Sequence, residues 1–226
     1  MKFIKWNNVV LGYQSTALNY PFSAEVNESG IYVVSGQNGS GKTALIKTSL
    51  GLLKPISGSV RIFQKDLNKN KNILKNISYV PQFSKVNSFF HIGLSDFVIQ
   101  GLGPKPKISK KELNLELENL LAEWQLLAIK NKSFHELSGG QKTRALIVRA
   151  LIRQPKILFL DEPLSSLDPC CQKQLMKTLY ELSELNGICV IMIEHHYKSY
   201  TDFLTGFVNF NREHDTITSK VDFQLS

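Results

Sequence analysis

The amino-acid sequence predicts an α/β protein whose core is a mostly parallel β-sheet. Short strand-like runs, almost entirely apolar, occur at residues 31–35, 77–80, 157–160 and 189–193. Such runs are typical of strands that are buried on both faces of a parallel sheet. The segments between them carry apolar residues at helical spacing, which is the alternation of strands and helices expected of this class.

Two further regions flank or interrupt this core. Residues 1–30 lack long helical periodicity, and we expect them to form an antiparallel β-layer. Between Gln82 and Ser138 the pattern is helical, with five apolar side chains on one face: Leu113, Leu117, Leu120, Leu121 and Trp124. We therefore predict a single domain over residues 1–226, with a core at 1–82 and 150–226 and an inserted α-helical subdomain at 83–149.

Composition argues against several classes of protein. The three cysteines are odd in number and two of them are adjacent, which fits neither a disulfide framework nor a zinc site and favours a reducing compartment. No stretch approaches 18 continuous apolar residues and the amino terminus has no signal-peptide pattern, so we expect a chain that neither spans a membrane nor is secreted. The net charge of +8 does not discriminate between nucleic acid, anionic lipid and nucleotide phosphates.

The stretch GQNGSGKT lies between a strand-like run and a helix-like segment. It fits the P-loop pattern, in which glycines let the backbone curl so that successive N–H groups point at phosphate oxygens. Lys42 can reach the β- and γ-phosphates, and the hydroxyl of Thr43 can bind Mg²⁺. We predict a nucleoside triphosphate site formed by Gly36, Asn38, Gly39, Ser40, Gly41, Lys42 and Thr43.

A pair of acids follows the apolar run at 157–160. In P-loop enzymes a carboxylate at the end of such a strand holds Mg²⁺, and a second acid can orient the attacking water. We expect Asp161 to bind the metal and Glu162 to act as the general base. Without the P-loop, an ordinary acidic strand end would explain the pair equally well.

The stretch LSGGQ precedes a helix-like segment. Ser138 and Gln141 have the spacing of a capping box, so we predict that a helix begins here. Two glycines without side chains, a serine hydroxyl and the positive end of a helix could together form a second anion site. Composition alone does not decide between this site, with Ser138, Gly139, Gly140 and Gln141, and a simple capped helix after a turn.

Six motifs in this order resemble those of ABC-type ATPases, the P-loop NTPases that form the nucleotide-binding subunits of ABC transporters. The motifs are residues 36–43, Gln82 in YVPQ, residues 137–141, residues 157–163, SSLD at 165–168, and His195. The resemblance covers nearly the whole chain, and LSGGQ separates this family from other P-loop ATPases. It implies hydrolysis of ATP with Mg²⁺ in a head-to-tail dimer, where each ATP lies between the P-loop of one copy and LSGGQ of the other.

The resemblance also implies roles for individual residues. Tyr13 matches the aromatic residue that stacks on adenine, although a core tyrosine fits the sequence as well. Gln82 matches the glutamine that reaches Mg²⁺ and water, and His195 matches the histidine that contacts the γ-phosphate. Asp168 matches a loop residue at the dimer interface and can also cap the helix that Pro169 begins. The implied catalytic set is Lys42, Gln82, Glu162 and His195.

Residues 51–63 and 79–102 look most like those of ATPase subunits from bacterial zinc, manganese and iron importers. The resemblance implies two further partners, an integral-membrane permease and an extracytoplasmic solute-binding protein. It also implies a peripheral position at the cytoplasmic face of the inner membrane. His91 departs from the pattern, because such proteins usually have proline there.

The stretch at residues 83–103 carries a group of apolar side chains near Gln82, which includes Phe89, Phe90, Ile92 and Leu94. In the family, the permease binds a groove in this region. We therefore expect these side chains to line that groove.

Two other functions stay open at the level of sequence. A soluble ABC-type ATPase that acts on nucleic acid or ribosomes usually has two cassettes or a long coiled-coil insertion, and this sequence shows neither, so we expect no nucleic-acid partner. A nucleotide-binding regulator without turnover is disfavoured by Asp161, Glu162 and His195.

Overall fold

Three β-sheets and five α-helices make up the part of the chain that this computed structural model describes, which is residues 2–13, 16–18, 21–82, 91–103, 109–195, 197–210 and 215–219. The strands are β1 (Ile4–Val10), β2 (Gly12–Tyr13), β3 (Thr16–Ala17), β4 (Phe22–Val26), β5 (Gly30–Ser35), β6 (Ser57–Ile62), β7 (Lys65–Asp66), β8 (Ile77–Val80), β9 (Ile157–Asp161), β10 (Cys189–Ile193), β11 (Gly206–Phe210) and β12 (Asp215–Ser219). The helices are α1 (Lys42–Ser49), α2 (Leu94–Ile99), α3 (Lys110–Glu123), α4 (Gly139–Leu151) and α5 (Pro169–Asn186).

The central sheet has the strand order β12-β11-β5-β10-β9-β8. All of its pairs are parallel except the one between β11 and β12 at one edge. Every residue of β5, β9 and β10 is buried, as expected for strands covered on both faces. The four predicted runs form β5, β8, β9 and β10, so the predicted fold class is confirmed.

A second, antiparallel sheet forms the predicted β-layer, with the order β4-β1-β6-β7. In it, β1 pairs on one side with β4 and on the other with β6, so that Trp6 lies between Ala24 and Val60. The layer is therefore not built from residues 1–30 alone, because β6 and β7 lie well beyond them in sequence. The alternation of apolar and polar residues within one strand does not show which distant strand it pairs with.

The helices begin and end at recognisable signals. Ser109 and Glu112 form a capping box at the start of α3, where Ser109 Oγ accepts from Glu112 N–H at 3.2 Å and Glu112 Oε2 accepts from Ser109 N–H at 2.9 Å. At the end of α5, Gly187 has a left-handed backbone with φ of 62°, which favours glycine. None of the helices within the described ranges is both long and apolar enough to cross a bilayer.

Side chains on the two faces of the central sheet belong to two separate hydrophobic clusters. Leu158 and Leu160 lie in one cluster and Ile157 and Phe159 in the other, since successive side chains of a strand point to opposite faces. The first cluster also contains three of the five side chains of the predicted apolar helix face, with the other two packed against it, and six of the thirteen residues of α4. The helical segment therefore shares its core with the sheet, while the division into one domain with an inserted subdomain stays a prediction.

One expectation about the stretch at 83–103 is wrong. Leu94 is fully buried in the first hydrophobic cluster, and Ile92 is partly buried against the same cluster. The reason is that α2 turns its apolar face inward, toward α4, so Leu94 is core and cannot line a docking groove. Phe89 and Phe90 lie outside the described residues.

The turn after α2 gives a testable prediction, because Gly101 lies directly against the backbone of α4. A Cβ added at Gly101 would collide with the carbonyl oxygen of Arg149 and approach Ile152 Cγ2 at 2.9 Å. We expect Gly101→Ala to lower the free energy of unfolding by about 1–3 kcal/mol, measured by urea denaturation, since overpacking forces the backbone to move. Gly93→Ala is the matched control, because the atom nearest to its Cβ is Asp96 Oδ2 at 3.7 Å. Equal effects of the two variants would contradict the close approach.

Candidate active site

The loop between β5 and α1 has positive φ angles at its three glycines. They are 152° at Gly36, 77° at Gly39 and 103° at Gly41. A Cβ on Gly39 would meet no atom within 4 Å, so the backbone angle, not crowding, favours glycine at this position. The loop leads directly into α1, whose first N–H groups and positive end face an anion in sites of this type.

Lys42 is the first residue of α1, and its side chain is buried against the loop. Its Nζ donates to the carbonyl oxygens of Gly36 at 2.8 Å and Gln37 at 2.9 Å, which uses two of the three N–H donors of an ammonium group. Burial lowers the pKa of Lys42, while the negative charges of Glu162 and Asp161 act in the opposite direction. The structure thus brings the predicted P-loop lysine into the field of the predicted acid pair.

The side chain of Ser40 is also buried, and its Oγ has no hydrogen-bond partner among the described residues. A buried hydroxyl left without a partner costs about 1–3 kcal/mol, so this position suits an oxygen atom of a bound ligand. Asn38 is exposed in the turn before it, and Thr43 is half-buried in the first turn of α1. All seven residues predicted for phosphate binding therefore lie on one loop and the helix start that follows.

The two acids occupy the end of β9. Asp161 is buried, and the hydroxyl of Tyr79 donates to its Oδ2 at 3.2 Å. Burial and the charge of Asp161 raise the pKa of Tyr79 far above its usual range, so that Tyr79 stays a neutral donor. Glu162 has a positive φ of 51°, which is rare outside glycine and typical of functional sites, and its N–H donates to Ile193 O at 3.1 Å.

The carboxylate of Glu162 contacts side chains from both neighbouring strand ends. Gln82, two residues after β8, donates from Nε2 to Glu162 Oε2 at 2.5 Å. His195, two residues after β10, places Nε2 3.5 Å from Glu162 Oε1. The structure therefore brings together three of the four residues of the implied catalytic set, and the fourth, Lys42, lies within their electrostatic influence.

Sequence reasoning missed Glu194, the residue before His195. It is buried, with Oε1 accepting from Leu164 N–H at 2.8 Å and Oε2 accepting from His195 N–H at 3.3 Å. The pKa of Glu194 is raised to about 7, mainly by burial and further by the charges of Glu162 and Asp161, while the two N–H contacts act in the opposite direction. The available signal was an acid directly after a fully apolar strand, which needs a polar partner to be buried.

The predicted helix start at LSGGQ is confirmed. Ser138 Oγ accepts from Gln141 N–H at 3.3 Å, and Gln141 Oε1 accepts from Ser138 N–H at 3.0 Å, which completes the capping box of α4. No described residue accepts a hydrogen bond from the N–H of Gly139 or Gly140. A Cβ on Gly139 would lie 3.5 Å from its nearest neighbour and one on Gly140 3.3 Å, so packing within one chain explains these glycines only weakly.

Residues 163–168 form a loop between Glu162 and α5, and this loop lies beside the start of α4. The hydroxyls of Thr143 and Ser166 are 3.2 Å apart. Asp168 is exposed and caps α5, because its Oδ1 accepts from Cys171 N–H at 2.9 Å. The predicted capping role of Asp168 is confirmed, whereas its place at a dimer interface stays a prediction.

Two observations concern positions outside this cluster. The backbone of Tyr13 belongs to β2, but its side chain lies outside the described part of the structure, so stacking on adenine stays a prediction. His91 is exposed and meets the ring of His135 edge-on, with 4.5 Å between the ring centroids. Over the described ranges, no group of three or more His, Cys, Asp or Glu residues could hold a metal ion.

Comparisons with known proteins agree with this geometry. Residues 20–165 match the ABC transporter family. The chain is 31% identical over 217 residues to the high-affinity zinc uptake system ATP-binding protein ZnuC of Bacillus subtilis (strain 168), which spans 94% of this chain and 92% of the relative. It is 30% identical over 203 residues to the manganese transport system ATP-binding protein MntB of the same strain, and the match covers 88% of this chain and 80% of the relative. It is 33% identical over 192 residues to the ergothioneine transport ATP-binding protein EgtV of Helicobacter pylori (strain G27), and the match covers 83% of this chain and 87% of the relative.

Solved structures share the fold. CbiO1 from Clostridium perfringens, part of the ABC transporter complex cbiONQ, superposes with a TM-score of 0.87 at 24% identity and covers 98% of this chain and 90% of its own. The ADP conformation of MJ1267, an ATP-binding cassette of an ABC transporter, gives a TM-score of 0.84 at 23% identity, with 97% and 91% covered. The family match and the relatives of at least 30% identity show that the chain belongs to the ABC transporter family, as an ATP-binding subunit with ATPase activity.

Proposed function

We propose that two copies of this subunit bind and hydrolyse ATP with Mg²⁺, using Glu162 as the general base, to energise import of a divalent metal ion such as zinc, manganese or iron. The observation that carries the site is the position of Glu162 between Gln82 and His195. A carboxylate that is contacted at both oxygens is restricted to few orientations. A general base needs such a restriction, because it must face the one water molecule from which it takes a proton. In this proposal, His195 also contacts the γ-phosphate.

The loop at residues 36–43 binds the phosphates of ATP. Lys42 keeps one N–H donor beyond the two that hold the loop, and its charge faces the β- and γ-phosphates. The unpaired hydroxyl of Ser40 and the curled backbone at Gly39 supply further polar groups toward the same anion. Tyr13 stacks on the adenine ring.

The oxygen donors near this loop fit Mg²⁺, which prefers oxygen ligands and usually keeps several waters and substrate phosphates in its shell. The residues that would hold it are Thr43, Gln82 and Asp161. The hydroxyl of Tyr79 fixes the orientation of the Asp161 carboxylate. When bound there, Mg²⁺ would neutralise negative charge that develops on the phosphates.

A second copy of the chain completes each site. Ser138 is exposed, and the N–H groups of Gly139 and Gly140 have no acceptor among the described residues. Donors at the positive end of α4 suit the γ-phosphate of an ATP held by the other copy, and Gln141 keeps the helix start in shape. Asp168, in the neighbouring loop, lies at the interface in this arrangement.

A groove of about 530 Å³ between the sheet and the helices supports a permease partner. Its lining includes Leu52, which is 72% exposed, together with Pro81 and the two basic residues Arg149 and Arg153. Pro81 directly precedes Gln82, so a permease segment in this groove would lie one residue from a ligand of the active site. This position corresponds to a peripheral subunit at the cytoplasmic face of the inner membrane.

The proposed cargo rests on the relatives. Two of those named above are zinc and manganese transport proteins, whereas a third of similar identity is an ergothioneine transport protein. Uptake of radioactive zinc, manganese and ergothioneine by cells with and without the gene distinguishes these cargoes. The same assay in cells that lack an extracytoplasmic solute-binding protein shows whether one is needed. Loss of ergothioneine uptake with intact metal uptake would overturn the metal assignment.

At this site, the first prediction concerns Lys42→Ala. We expect this variant to lose ATP binding, measured by isothermal titration calorimetry, because it removes both the anchor of the loop and the cation that faces the phosphates. Lys47→Ala, on the exposed side of α1, is the matched control and should bind ATP like the unaltered protein. Normal ATP turnover by Lys42→Ala would show that the phosphates bind elsewhere.

The second prediction concerns Glu162→Gln. We expect kcat to fall by about 10²–10⁴-fold while ATP still binds, because only the general base is lost. The variant should accumulate as a dimer with ATP, detected by light scattering, since the bound nucleotide is not consumed. Glu184→Gln, an exposed acid on α5, should leave both properties unchanged. Hydrolysis by Glu162→Gln at the unaltered rate would place the base at another residue.

A further inference from the structure

We propose that Glu194 is a positioning residue that holds His195 and the loop at residues 163–168 in a fixed relation to each other. The inference rests on the proposed roles of Glu162 and His195. Glu194 itself does not touch the nucleotide in this proposal. It acts through the backbone of two segments, one that carries His195 and one that directly follows Glu162.

The buried carboxyl of Glu194 accepts hydrogen bonds from two separate backbone segments. Its Oε1 accepts from Leu164 N–H at 2.8 Å, two residues after Glu162. Its Oε2 accepts from His195 N–H at 3.3 Å. The side chain is 3% exposed, so water cannot easily replace either contact.

The two contacts need two acceptor oxygens, which only a carboxylate supplies at this position. A glutamine has one oxygen and one NH₂ group, and the NH₂ group would face an N–H donor. Burial of a carboxyl costs free energy, and Asp161 and Glu162 at the end of β9 add to that cost through their charges. The presence of an acid here, despite the cost of burial and the repulsion from Asp161 and Glu162, indicates that both acceptor oxygens are needed.

The loop that Glu194 holds contacts α4 near its start. Gln172 Nε2 donates to the carbonyls of Leu164 and Leu167, each at 3.0 Å, and Tyr200 OH donates to Gln172 Oε1 at 2.7 Å. The same loop presents Ser166 to Thr143 at 3.2 Å. A shift of Leu164 would therefore reach both the general base and the helix start that is proposed to bind the second nucleotide.

The test is Glu194→Gln in the full chain, assayed for ATP hydrolysis at pH 8.5. We expect kcat to fall by about 10–100-fold, since misplacement of catalytic groups by about 1 Å costs up to about 10²-fold. The Kd for ADP should change by less than about twofold, because the hydrogen bonds of the Glu194 carboxyl go to Leu164 and His195 and not to the loop at residues 36–43. The control is Ser183→Ala, which removes a buried hydrogen bond within α5 and should lower stability without changing kcat.

A pH series separates this role from simple loss of stability. The ratio of kcat between the unaltered protein and Glu194→Gln should shrink from pH 8.5 toward pH 6, because protonation removes one acceptor from Glu194. Asp161, Glu162 and His195 are present in both proteins, so their titration largely cancels in the ratio.

The outcomes distinguish this inference from the proposed function. If the unaltered protein does not hydrolyse ATP, the function itself is contradicted, whatever the variant does. If it does, equal kcat values for the two proteins at pH 8.5 would overturn only the role of Glu194. A kcat ratio that stays constant between pH 6 and pH 8.5, or a loss of ADP binding together with kcat, would also overturn it.

Discussion

The carboxyl ends of parallel strands lie at one edge of a sheet, and this constraint assembles the active site. At that edge β5 leads into the glycine loop, β9 ends at Asp161, and β10 is followed by His195. The register places Ile193 of β10 beside both Val34 and Asp161, so segments that are far apart in sequence end side by side. The buried strands are rigid because both of their faces are packed. The residues at their carboxyl ends are therefore held in fixed positions.

The segment at residues 79–82 connects this edge to the groove proposed for the permease. Tyr79 and Pro81 line the groove, while Tyr79 also donates to Asp161 and Gln82 donates to Glu162. A displacement of this segment would therefore move the donors of both acids together. If a permease binds this groove as proposed, its movement would act on the donors of both acids through this one segment.

Much of this fold and site follows from the sequence because strong local signals mark them. The apolar runs, the capping box at Ser138 and the cap at Asp168 depend on neighbouring residues and lie where the pattern places them. The assignment of Leu94 to a docking groove is wrong, because an apolar helix face has the same sequence pattern whether it packs inward or binds a partner. Glu194 could not be assigned for a related reason, since its two N–H donors include Leu164, thirty residues earlier in the chain. Contacts of this kind are set by tertiary packing and leave no periodic signal.

The proposal that each nucleotide site is shared between two copies is tested most directly by mixing two inactive variants. Lys42→Ala disables the phosphate loop of its own copy, and Ser138→Arg blocks the helix start that would serve the other copy. In a mixed dimer, both defects fall on one site and leave the second site intact. The account predicts that each variant alone is inactive and that the mixture recovers ATP turnover. A mixture as inactive as its components, with mixed dimers demonstrably formed, would contradict a shared site.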